Sequence, residues 1–179
     1  VVPSSTRVLL DTLEQIVEEA PVVVDDQSLL PIRLDVDETL TVRADRIVNT
    51  LAAKEMYGRD TIAVDFGTAT TFDCITAEGV FVGGVIAQGL ESGLEWLGRK
   101  TAKLPRVELT PPERVIGRRT EACIQSGVFF SAVDAEDGIV RRILEEWQRD
   151  DVYVVATGGY ATTVGPHAQT SAGLRATND

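Results

Sequence analysis

Apolar residues recur along this chain with two different periods, and the switches between them mark its elements. Behind Ser4 or Ser5, either able to cap a helix, Leu9, Leu13, Ile16, Val17 and Ala20 recur at helical spacing. Val1-Val2-Pro3 reads as the end of a strand, and Val22–Val24 and Ile32–Val36 as two more. Asp35, Asp37 and Glu38 make an acidic connection, most simply a solvated loop. From Ala44 to about Tyr57, Ile47, Val48, Leu51, Ala52 and Met56 form the apolar stripe of a helix that Gly58 ends. The continuous apolar run Ile62–Val64 predicts a buried strand. Phe72–Thr76 and Val80–Val85 follow as strands, separated by a Glu78-Gly79 turn.

The second half alternates helix and strand. Gly89 to Ala102 reads as a helix carrying Leu90, Leu94, Trp96 and Leu97. Leu104-Pro105 and Pro111-Pro112 mark an irregular connection, of a length that often holds function or a partner surface. One helix follows through Ile124, Val128 and Phe129. Another runs from about Ala135 to Arg149 with Ile139, Ile143, Leu144 and Trp147 inward. Val152–Ala156 is a short apolar strand that runs into Thr157-Gly158-Gly159. Periodicity is lost from about Thr162, and the polar Ser171–Asp179 segment is expected to dock lightly at most. This order predicts an α/β fold: an antiparallel three-strand unit extended by a parallel strand, with helices covering the faces.

Composition narrows the function classes. The 179 residues suffice for one sizeable domain or two small lobes. A net charge of -11 argues against non-specific nucleic-acid binding, which needs clustered Lys and Arg. There is no run of 18 apolar residues and no basic-then-apolar leader, so the expectation is a cytoplasmic protein without membrane or nucleic-acid partners. Cys74 and Cys123 fall in a predicted strand and a predicted helix, which suggests buried, reduced thiols. His167 is the single histidine, so a zinc site or a Ser-His-Asp triad would have to be built around it.

Candidate chemistry gathers at three places. In Ile62–Thr71, Asp65 ends a strand and is followed by Gly67, Thr68, Thr70 and Thr71. This is either a hairpin whose Asp and Thr satisfy their own turn, or a phosphate and cation site built from a carboxylate, hydroxyls and free N–H groups. Asp45 and Arg46 stand in the first turn of a helix. They suit either the helix dipole and a surface pair, or a general base beside an anion-binding guanidinium. Thr157-Gly158-Gly159 is either a plain strand-to-helix turn or a glycine turn of the kind that lies on a nucleotide. Gly83-Gly84 suggests a tight bend or a close backbone approach.

Taken together, these blocks resemble the type III pantothenate kinases. Asp65-Phe66-Gly67-Thr68-Ala69-Thr70-Thr71-Phe72-Asp73 resembles that family's second phosphate motif, and Ala44-Asp45-Arg46-Ile47-Val48-Asn49 its Gly-Ala-Asp-Arg helix start. Val1-Val2-Pro3, Thr101-Ala102-Lys103-Leu104-Pro105, Ile116-Gly117 with Thr120, Gln125-Ser126-Gly127 and Ala156-Thr157-Gly158-Gly159 match further blocks in order. The resemblance covers roughly residues 1–160. It implies the acetate and sugar kinase/Hsp70/actin fold of two ribonuclease-H-like lobes. Residues 1–59 would be the remnant of the N-terminal lobe and 60–179 the C-terminal lobe. It also implies ATP-dependent phosphorylation of pantothenate, the first step of coenzyme A biosynthesis, by a homodimer using Mg²⁺ and a monovalent cation, K⁺ or NH₄⁺.

Residue by residue, the resemblance makes Asp45 the general base and Arg46 the holder of the pantothenate carboxylate, with Arg43 and Ala44 beside them. Asp65 becomes the monovalent-cation ligand. Gly67, Thr68, Gly158 and Gly159 become ATP contacts, and Thr120 a substrate contact that reaches across the dimer. The Gly-rich loops of P-loop kinases and protein kinases are absent from these residues. Several positions depart from the family pattern: Arg43 replaces a Gly, Val36 a frequent Tyr, Arg119 an Asn and Gln88 a Pro. The residues also hold no Asp-x-Gly-Asn-Thr phosphate loop, so the expectation is an N-terminally truncated or a degenerate copy. The alternatives are a non-catalytic, nucleotide-binding relative, or a kinase acting on another small carboxylate-bearing alcohol.

Overall fold

The computed structural model describes residues 3–25, 28–100 and 107–170. In chain order these form α1 (Pro3–Leu13), β1 (Arg33–Leu34), α2 (Ala44–Tyr57), β2 (Thr61–Phe66), β3 (Ala69–Ile75), β4 (Val80–Gln88), α3 (Leu90–Lys100), α4 (Thr120–Trp147), β5 (Tyr153–Thr157) and α5 (Ala161–Val164). Short 3₁₀ turns lie at Thr39–Thr41 and Gly165–His167. The described strands make one mixed sheet in the order β1-β4-β3-β2-β5. β2, β3 and β4 are antiparallel neighbours, β5 runs parallel to β2, and β1 runs parallel to β4. The α/β arrangement predicted from the pattern is thus observed.

The sheet is covered on both faces, and β2 shows why its sequence is a continuous apolar run. Ile62, Val64 and Phe66 point to one face, where Phe72, Leu90 and the α4 residues Phe129, Val133 and Val140 bury them. Ala63 points to the other, against Ile47 and Ala53 of α2, with Ile75, Phe81 and Val155. A strand buried on both sides loses the alternation that a half-exposed strand would keep. Helix α2 therefore lies across one face of the sheet and α4 across the opposite face. Gly58 closes α2 in the left-handed conformation at φ +57°, its N–H bonding the carbonyls of Ala53 and Lys54.

Several expectations are corrected. The first helix stops at Leu13 rather than reaching Ala20, and Ser4 and Ser5 lie inside it rather than capping it. Val22–Val24 pairs with no strand among the described residues, and Val22 is almost fully exposed. Only Arg33–Leu34 of the Ile32–Val36 segment enters the sheet. The two helices expected around residue 130 are one helix of 28 residues. Phe129, Val133, Glu136 and Val140 keep a single buried stripe in phase through the expected break.

Burial corrects other details. In α2 the inward residues are Ile47, Thr50 and Ala53, whereas Val48 and Met56 are exposed. Trp96 of α3 is exposed. Cys74 is buried, and desolvation, with the Asp73 charge beside it, pushes its thiol up to about 12. Cys123 is exposed. Beyond Thr162, where the sequence loses its periodicity, α5 continues into the 3₁₀ turn, and the His167 ring packs edge-on against Phe129 at 5.0 Å. Val1-Val2, Thr101–Pro105 and Ser171–Asp179 lie outside the described residues.

Candidate active site

Helix α2 begins directly over the ends of β2 and β3, and a polar stripe of the helix meets a polar stripe of the sheet. Asp65 pairs in register with Thr71 on β3 and Thr157 on β5. These three residues, with Asp73 one step along β3, face α2 because side chains alternate along a strand. From the helix, Asn49 Nδ2 donates to Asp65 Oδ2 at 3.3 Å, and Arg46 Nε donates to Asp73 Oδ1 at 2.7 Å. Asp45, in the first turn, accepts the Arg46 backbone N–H at 3.0 Å. Its other oxygen meets Arg43 Nη2 at 2.9 Å. Three carboxylates and two guanidiniums are thereby gathered where α2 starts.

Their environments differ. The Arg43–Asp45 pair is open to solvent, with side chains 68% and 41% exposed. Arg46 keeps only 13% of its side-chain surface and Asp73 none. Burial pushes the Asp65 carboxyl above the usual range, and the neighbouring Asp45 charge adds to this. The Asn49 hydrogen bond and the Arg43 charge oppose the shift. Asp73 is likewise raised by burial and partly held down by Arg46 and Asn49. Carboxylates raised this way gain from a nearby cation, which stabilises the ionised form.

The glycine turn after β5 belongs to the same site. Gly158 has φ +88°, and a Cβ there would stand 2.3 Å from Asp65 Oδ1 and 2.8 Å from the Phe66 backbone. The Tyr160 N–H reaches the Phe66 carbonyl at 3.3 Å, tying this turn to the end of β2. Gly159 has open space around it, and Gly67 would accept a Cβ in ordinary contact, 3.5 Å from the Ala69 carbonyl. Thr68 is exposed, and its carbonyl accepts the Ser92 hydroxyl at 2.9 Å under the start of α3. Gly158 thus packs directly on the Asp65 carboxylate, the kind of oxygen ligand a hard cation takes. No group of three or more His, Cys, Asp or Glu side chains suited to a metal ion occurs among the described residues.

Thr120 is not part of this cluster. It opens α4 and lines a cleft of about 690 Å³ with Thr70, Phe72, Leu90 and Trp96, on the face of the sheet away from Asp45. The structure adds two residues without an assigned role in the sequence, Asn49 and Asp73, and bears out the close backbone approach expected at Gly84. Asn49 bridges to Asp65, Asp73 holds Arg46, and Gly84 stands beside the Arg46 guanidinium. Asn49 and Asp73 lay within quoted motifs. Their partners are 16 and 27 residues away, so only the strand register exposes them.

The fold and site define an α/β protein with a carboxylate- and glycine-lined turn facing an Asp-Arg helix start. The family of this description is matched by residues 1–142, which fit the model for type III pantothenate kinase. The type III pantothenate kinase of Moorella thermoacetica is 42% identical over 168 residues, covering 93% of this chain and 65% of that protein. That of a Ruegeria species is 48% identical over 143 residues, covering 78% and 54%. That of Streptomyces coelicolor is 48% identical over 130 residues, covering 72% and 49%. The chain spans about half to two thirds of the length of these relatives. The chain belongs to the type III pantothenate kinase family.

Proposed function

We propose that this chain carries the phosphoryl-transfer site of an ATP:pantothenate phosphotransferase, the enzyme that makes 4′-phosphopantothenate in the first step of coenzyme A biosynthesis. The observation that carries this reading is the docking of α2, which gathers Asp45, Arg46 and Asp65 at one end of β2. Asp45 takes the proton of the pantothenate primary hydroxyl. That oxygen forms the new bond to the γ-phosphorus, the bond to the β,γ-bridging oxygen breaks, and ADP leaves. Arg46, flanked by Ala44 and Arg43, holds the carboxylate end. Gly67, Thr68, Gly158 and Gly159 line the ATP phosphates, and Asp65 holds K⁺ or NH₄⁺. Mg²⁺ bound to the ATP phosphates would neutralise the charge that develops on them.

The fold is read as ribonuclease-H-like lobes of the acetate and sugar kinase/Hsp70/actin type, divided near residues 59 and 60. The antiparallel β2-β3-β4 unit extended by parallel β5 supports this reading. A homodimer brings in Thr120 from the second copy, which agrees with its position away from Asp45 in its own chain. The test is ADP release with pantothenate, ATP, Mg²⁺ and K⁺, in the protein with all its natural flanking sequence. Asp45→Asn is expected to lower kcat by about 10²–10⁴-fold, the range for loss of a positioned base. Undiminished release by that variant removes Asp45 from its role.

A non-catalytic, nucleotide-binding relative is the second reading, favoured by one observation: Arg43 already occupies an oxygen of the proposed base. Calorimetric titration separates the two. Saturable pantothenate binding supports the kinase, and binding of ATP without pantothenate supports the accessory protein.

A further inference from the structure

A carboxylate clamp built on Arg46 needs its guanidinium held still, because an unsupported arginine loses much rotamer freedom when it binds. The structure supplies that support from behind. Asp73 on β3 has no accessible side-chain surface and accepts Arg46 Nε at 2.7 Å. The Phe81 ring lies under the guanidinium, 4.7 Å from its central carbon. Gly84, opposite Asp73 on β4, has no room for a Cβ, which would stand 1.9 Å from the Phe72 carbonyl oxygen and 2.9 Å from Arg46 Nη2, so the guanidinium packs directly on the β4 backbone. Thr50 fixes the helix beneath by donating its hydroxyl to the Arg46 carbonyl at 2.8 Å. One edge of the guanidinium and one of its faces are therefore taken. Arg46 Nη2 and Asp73 Oδ2, both buried, have no hydrogen-bond partner among the described residues.

We propose that Asp73 is a positioning residue that, with Phe81 and Gly84, aims Arg46 at the substrate carboxylate. It thereby sets the preference for a carboxylate-bearing alcohol over an uncharged one. The inference rests on the pantothenate kinase reading and names the residues that give that reading its substrate selectivity. Asp73 touches no reacting atom, so its loss acts on recognition of the charged end and leaves the chemical step in place.

The experiment compares pantothenate with pantothenol, in which a primary alcohol replaces the carboxylate, for the wild type, Asp73→Ala and Asp73→Asn. Asp73→Ala is expected to raise KM for pantothenate roughly 10–100-fold, the scale of losses when an orienting carboxylate is removed. Its KM for pantothenol and its kcat are expected to move less than about threefold. Asp73→Asn keeps an acceptor oxygen for Arg46 Nε and is expected to restore most of the discrimination. If Asp73→Ala does not fold, Phe81→Leu removes the platform and is expected to act in the same direction. Equal changes for both substrates, or none in either variant, overturn the inference while leaving the kinase reading intact. A wild type that binds pantothenate in calorimetry with no preference over pantothenol also overturns it. A wild type that binds neither overturns the kinase reading and this inference with it.

Discussion

Two arginine–aspartate pairs sit three residues apart at the start of α2, and their burial makes them unequal. Arg43–Asp45 is solvent-exposed, and exposed pairs contribute about 0–1 kcal/mol. Arg43 occupies the N-cap position without a side-chain capping bond, and glycine is tolerated there. Arg43→Gly is therefore expected to change stability by less than about 1 kcal/mol, read as the urea unfolding midpoint. Asp73→Ala removes one partner of a buried pair and is expected to cost about 3–5 kcal/mol in the same measurement. Similar losses for the two variants would contradict the burial difference. Asp65 adds a pH dependence. Its folded-state pKa is raised by burial, so between the unfolded value near 3.8 and the higher folded value the folded chain holds the extra proton. Stability from this group is greatest below that window and falls as pH rises through it. Asp65→Asn lacks the titration, so its stability relative to wild type is expected to grow with pH across the window when no monovalent cation is present. A parallel pair of stability–pH curves would count against the raised pKa.

Elements show what the sequence could and could not reveal about this site. The bounds of α2 were legible because Gly58 is a left-handed stop, and β2 because a strand buried on both faces is apolar throughout. The single helix α4 was not, because its buried stripe includes Ser126 and Glu136, and polar residues inside a stripe look like a break. Of the site, Asp45, Asp65 and the Gly158 turn were readable as local motifs. The hold of Asp73 and Asn49 on Arg46 and Asp65 exists only through strand pairing and helix docking. The two turn glycines illustrate the same difference. Read in sequence, Gly158 and Gly159 are equivalent. In the fold, Gly158 has a positive φ of +88° and no room for a Cβ beside Asp65, while Gly159 has open space around it. Gly158→Ala is expected to destabilise by about 1–3 kcal/mol. On the proposed function ATP and K⁺ are expected to raise the thermal midpoint of the wild type, and Gly158→Ala is expected to abolish that rise. Gly159→Ala is expected to leave the unliganded midpoint unchanged. Thermal unfolding with and without ATP and KCl checks both, and equal behaviour of the two variants would remove Gly158 from the proposed cation site.

At the scale of the whole molecule, the sheet itself separates two residues assigned to one reaction. Asp45 belongs to the α2 face, with Asp65 and Asp73, whereas Thr120 opens α4 on the opposite face beside Phe72. A threonine cannot reach through a packed sheet, so if both act on one substrate they come from different copies of the chain. The proposed homodimer supplies that arrangement and makes a sharp prediction about mixtures. Asp45→Asn and Thr120→Ala proteins, each defective alone, are unfolded together and refolded at equal concentration. A mixed dimer then has one site with both substitutions and one with neither. Random pairing makes half the dimers mixed, so activity is expected to recover to about a quarter of wild type, the share fixed by two-fold symmetry. Were both residues to act within one chain, every site would carry one substitution and mixing would restore nothing. The recovered fraction thus reads directly whether the sheet divides one active site between two chains.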